Sequence, residues 1–118
     1  MEAPDTTTAC REVIDAWSTL AQLADFAEQR HGFGNSNGGF GVIYPSDVDE
    51  YMAEVEGVNV PERMVLLYGY AHANPPGYEV LIQESVYLVN LLVVLLEKDM
   101  PAEAQRVGNI LNVLAHGS

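Results

Sequence analysis

Arg63 to Lys98 reads RMVLLYGYAHANPPGYEVLIQESVYLVNLLVVLLEK, and its three parts decide the fold class. Met64 to Tyr68 is apolar on both faces of an extended chain, which predicts a strand central in its sheet. Ala71 to Gly77 carries Asn74, Pro75, Pro76 and Gly77, each a turn former for its own steric reason. Tyr78 to Glu84 then alternates, with Tyr78, Val80 and Ile82 on one face and Glu79, Leu81 and Gln83 on the other. That pattern suits a second, more exposed strand, so the two make a hairpin. Val86 to Lys98 follows as a helix that is apolar nearly all round, which marks a central element or an oligomer contact. Val86 to Leu96 is about half the length a bilayer requires, and Asn90 interrupts it.

Downstream, Pro101 suits the first turn of a further helix to about Ala115, with Val107, Ile110, Leu111 and Leu114 as its buried stripe. Upstream, Thr6, Thr7 and Thr8 offer N-caps for a first helix running to about Arg30. Cys10, Val13, Ile14, Trp17, Leu20, Ala24 and Ala27 recur along it at helical spacing. Residues 31–41 read HGFGNSNGGFG, and five glycines in eleven residues predict a flexible loop. Val42 to Tyr44 is a short strand. Ser46 opens a second helix, three residues before Asp49, with Val48, Tyr51, Met52 and Val55 as its apolar stripe and Gly57 as its stop. The reading is an α+β fold in the order α-β-α-β-β-α-α. A small three-stranded, mostly antiparallel sheet packs against helices, in one domain spanning 1–118 with a disordered tail at 1–5.

Charge limits the partners. Seventeen acidic residues against five basic ones give −12 over 118 residues. Nucleic acid and anionic lipid both demand a cationic face, so neither is expected as a partner. A basic partner is the functional reading, and solubility is the plain one. Cys10 is the only cysteine, which rules out an intrachain disulfide and suits a reducing cytoplasm. The first five residues lack the basic-then-apolar run of a secretory signal.

Pro45 to Glu62 holds Asp47, Asp49, Glu50, Glu54, Glu56 and Glu62 and no Lys or Arg. On a helix Asp47, Glu50 and Glu54 share a face, where like charges repel at a cost of a few tenths of a kcal/mol per pair. Glu54 and Glu56 lie at the helix end that gains nothing from carboxylates. A need for negative potential explains their tolerance, and a solvated face is the alternative. The hairpin adds Tyr68, Tyr70 and Tyr78 near His72, and tyrosine suits interfaces. The partner-binding set is therefore Asp47, Asp49, Glu50, Glu54, Glu56, Tyr68, Tyr70 and His72.

No catalytic, metal or cofactor motif emerges. The carboxylates lack the EF-hand glycine and terminal Glu, and His31, His72 and His116 are scattered. The glycine loop lacks a following Lys-Ser/Thr and leads into a strand. Cys10 falls on the apolar stripe, Ser85 beside Glu84 lacks a nucleophile elbow, and His72 with Glu79 has no nucleophile to serve.

Small size, acidity, mixed α and β elements and missing chemistry resemble the small acidic immunity proteins that bacteria make against polymorphic and contact-delivered toxins. Pro76 to Leu96 (PGYEVLIQESVYLVNLLVVLL) also resembles a segment of a helical immunity protein against a type VI secretion effector. The resemblance implies an inhibitor that covers the active site of a cognate toxin; the acidity adds the expectation of a basic cleft there, and the single cysteine and missing motifs that of a cytoplasmic protein that is not an enzyme. The alternatives are a homodimeric module joined through the Val86–Leu96 helix and a small-ligand domain built on the tyrosine hairpin.

Overall fold

The computed structural model describes residues 5–17, 19–34, 40–55, 57, 59–69 and 78–116. The fold class is α+β, as the hairpin predicts. Its elements run α1 (Thr6–Asp15), α2 (Leu20–Gln29), β1 (Phe33–Gly34), β2 (Phe40–Ile43), a 3-10 turn (Pro45–Asp47), α3 (Glu50–Glu54), β3 (Met64–Gly69), β4 (Tyr78–Gln83), α4 (Glu84–Glu97) and α5 (Pro101–His116). The sheet is an antiparallel meander in the order β1-β2-β3-β4. It thus has four strands, not three, and the element order differs from the predicted one.

The fourth strand comes out of the expected glycine loop. Phe33 pairs with Val42 and Gly34 with Gly41, because the edge of β2 offers main-chain partners that no local propensity announces. Residues 35–39 lie outside the described set. Phe33 packs into the core beside Trp17 and Phe26, with ring centroids 5.2 and 5.6 Å away.

The predicted first helix is two helices. α1 is capped by Asp5, not by a threonine: Asp5 Oδ1 accepts from the Thr8 N–H at 2.8 Å. It ends at Asp15 with Ala16 as its C-cap, and α2 starts after Thr19, whose backbone is extended. Trp17 sits at the break, half-buried, its Nε1 donating to Gln22 Oε1 at 3.0 Å. Ala9, Cys10, Val13 and Ile14 from α1 and Leu23, Ala24 and Ala27 from α2 enter one core. Their spacing keeps phase across the break, so periodicity alone reads them as continuous.

Val42, Val65, Leu67 and Ile82 point to the sheet face covered by α1 and α4. β3 lies between β2 and β4, the central place its two-sided apolar pattern predicts. On the other face Ile43, Leu66 and Leu81 form a row across three strands. Beside that row, Tyr68 lies across the main chain of Gly41 and Gly34. A Cβ at Gly41 would collide with the Tyr68 ring and the Phe33 carbonyl, so this crossing requires glycine. α4 buries Tyr87, Leu88, Leu91, Val94 and Leu95, and α5 packs on α4 and α2. No helix of the described residues is long and apolar enough to cross a membrane.

Candidate functional site

The acidic segment folds differently from its sequence reading. Asp47 does not share a helix with Glu50 and Glu54; it ends the 3-10 turn, and α3 starts three residues later. Its carboxylate turns inward. Oδ2 accepts from the Gly32 N–H at 2.7 Å and from the Tyr44 N–H at 2.8 Å, and Oδ1 lies 3.3 Å from His31 Nδ1. A Cβ at Gly32 would strike Asp47 Oδ2 and the Val42 carbonyl, which is why glycine stands there. Ser46 Oγ reaches the Arg30 carbonyl at 3.2 Å. Residues 45–47 therefore clamp the exit of α2 and the start of β1.

Asp49, Glu50 and Glu54 point to solvent. Among the described residues no ion pair engages Glu50 or Glu54. The expected apolar stripe divides: Val48 precedes α3 and is half-buried, whereas Tyr51 is 63% exposed and Val55 66%. The side chain of Met52 is outside the described set. What reaches solvent is an aromatic ring and an aliphatic side chain set among carboxylates. From His31 to Glu62 the sequence has no Lys or Arg.

Of the remaining predicted contact residues, Tyr68 is half-buried over the two glycines, and burial raises its phenol pKa above 10. Glu56, Tyr70 and His72 lie outside the described residues.

A polar junction lies beyond what the sequence suggested. Glu84, at the start of α4, is 1% exposed. Arg30 meets it with two donors, Nη2 to Oε1 at 3.0 Å and Nε to Oε2 at 3.3 Å, and its Nη1 reaches Glu62 Oε1 at 3.4 Å. Arg30 occupies the left-handed C-cap of α2, at φ 51°, where glycine is usual. Nearby Tyr44 is buried, and among the described residues its hydroxyl has no hydrogen-bond partner. Burial first, then the Glu84 charge, raises its pKa. A cleft of about 600 Å³ opens beside this junction, lined by Glu62, Met64, Glu84, Ser85 and Leu114 among others. Glu84 is committed to Arg30, so it is not placed as a base for Ser85. The buried Cys10 thiol is pushed up to about 11 by desolvation, the opposite of an activated nucleophile. No three His, Cys, Asp or Glu among the described residues are arranged to hold a metal ion.

Among the described residues this is an α+β protein with helices on one face of an antiparallel sheet and an exposed, acidic, partly apolar segment between β2 and β3. No family model matches the chain, and no curated protein or solved structure matches it either.

Proposed function

We propose that the protein is a binding protein that meets a basic macromolecule through the α3 segment, and that it acts as an immunity protein against a cognate toxin. One observation carries this reading: exposed Tyr51 and Val55 sit among the outward carboxylates Asp49, Glu50 and Glu54. An aromatic anchor ringed by charge is the composition of an interface hot spot. The distribution of cations supports it. Arg11 is paired with Glu97, Arg30 with Glu84 and Glu62, and Arg106 with Asp25 and Glu28. These pairs partly neutralise the helical side and Glu62, while Glu50 and Glu54 face solvent with Arg63 the nearest cation in sequence. Against a toxin whose cleft holds phosphate or nucleic acid with cations, these carboxylates compete for the same groups and speed encounter.

The test uses the product of the gene immediately upstream as the partner. Binding to it, and protection of cells that express it, are measured for the wild type, for Glu50→Gln/Glu54→Gln and for Tyr51→Ala. The charge pair slows association, most at low salt. Tyr51→Ala weakens binding by about 2 kcal/mol or more, chiefly through faster dissociation. Full protection by both folded variants removes α3 from the mechanism.

A further inference from the structure

β4 closes the sheet. It pairs with β3 on one side, and no strand of the described residues pairs with the other. The Glu84 N–H donates to the Arg63 carbonyl at 2.8 Å. Main-chain groups alternate sides along a strand, so those of the even-numbered residues turn to β3. The N–H and C=O of Leu81 and Gln83 therefore turn outward. Such an edge invites another strand, and proteins ordinarily blunt it with Lys, Pro, a bulge or a short length. β4 has six residues, neither Lys nor Pro, and an unbroken register with β3 from Tyr78 to Gln83.

Two further features mark this edge. Leu81 is 42% exposed and ends the open-face row Ile43–Leu66–Leu81. Charge is also sparse here. Copies that each carry −12 repel, yet from Val80 to Leu96 the only charged residue is Glu84, which is buried against Arg30. Five of the eight exposed large apolar side chains among the described residues fall between Leu81 and Leu96.

We propose that a second copy of this chain occupies the β4 edge, the two β4 strands running antiparallel about a two-fold axis at Leu81. An axis normal to the sheet keeps both sets of helices on one face, which requires opposed residue numbers to sum to an even value. At Leu81 the residue faces its own counterpart, Val80 faces Ile82, and Glu79 faces Gln83 of the second copy. No carboxylate opposes another. The open-face row doubles into one band, Ile43–Leu66–Leu81 running into Leu81–Leu66–Ile43. An axis at Val80 would set Glu79 against Leu81, and one at Ile82 would set Glu84 against Val80, so Leu81 is the matching centre. This self-association does not depend on the acidic α3 segment.

Sedimentation equilibrium on the full chain tests it, with Leu81→Lys and Val89→Lys shown to be folded by circular dichroism. Leu81→Lys sets two ammonium groups opposite each other and weakens the dimer at least about tenfold; Val89→Lys, on the exposed side of α4, leaves it unchanged. In a hydrogen-bonded pair the Cα atoms stand about 5.5 Å apart, within disulfide reach. Mild oxidation of Leu81→Cys therefore yields a covalent dimer, and the buried Cys10 does not compete. A wild type that is monomeric at every concentration overturns the proposal. So does a dimer abolished by Val89→Lys and kept by Leu81→Lys, which assigns the contact to α4. If Leu81→Lys does not fold, the Leu81→Cys cross-link decides, and its absence overturns the edge.

Discussion

Asp47 shows how one carboxylate can belong to the frame and not to the surface. Its Oδ2 serves two main-chain N–H groups from segments fifteen and three residues away. Removing it leaves both donors short of an acceptor in a partly buried place. Asp47→Ala should therefore lose about 1–3 kcal/mol of stability. Glu50→Gln and Glu54→Gln, which point to water, should each stay within about 0.5 kcal/mol. Urea melts of the three single variants check this. Equal stability across them would show that the Asp47 bonds to Gly32 and Tyr44 contribute nothing. Asp47, Glu50 and Glu54 look alike in the sequence, since each is an acid in a run without cations. Only the place of Gly32, brought to within 2.7 Å of Oδ2, separates the first from the other two.

At the scale of elements, the junction of α2, β3 and α4 turns on Arg30 and Glu84. The α2 terminus adopts a left-handed cap at an arginine, a conformation that costs about 1–2 kcal/mol at a residue with a Cβ. What holds it is the fork onto a carboxylate that is itself buried at the first turn of α4. Arg30→Met strands that carboxylate. The cost should be about 2–4 kcal/mol, somewhat under the range for breaking a fully buried pair, because the Arg30 side chain is itself 39% exposed. Arg30→Met/Glu84→Met removes the stranded charge and should recover most of the loss. Chemical denaturation of the wild type, both singles and the double gives the coupling. Additive losses would mean that the two side chains do not act as a unit. The hairpin and α4 were legible because their signals are local: turn residues, alternation and an unbroken apolar run. The break between α1 and α2 was not, because core residues on both sides keep the same phase. β1 was not either, since a two-residue strand exists only by virtue of the β2 edge beside it.

Over the whole molecule, the excess of acid sets the response to salt. With a radius of gyration of 13.9 Å, every charge lies within the field of most others at about 0.01 M salt, where screening extends about 30 Å. At physiological salt the reach is about 8 Å, so only neighbours still interact. Raising salt across that range should lift the melting temperature by a few degrees as self-repulsion fades. Scanning calorimetry at fixed pH measures it. A fall would mean that the pairs of Arg11 with Glu97 and of Arg106 with Asp25 and Glu28 outweigh the net charge. The sequence by itself determined what depends on composition and near neighbours: the α+β class, the hairpin with a central β3, the two C-terminal helices and the acidity. Tertiary structure alone decided what depends on distant partners. Arg30 and Glu84 are 54 residues apart, and no spacing rule predicts a pair that meets only when α2 and α4 dock. Tyr51 and Val55 fit a buried stripe by period, but period shows only that side chains share a face. Whether another element covers that face is settled by packing, and at α3 none of the described residues buries it.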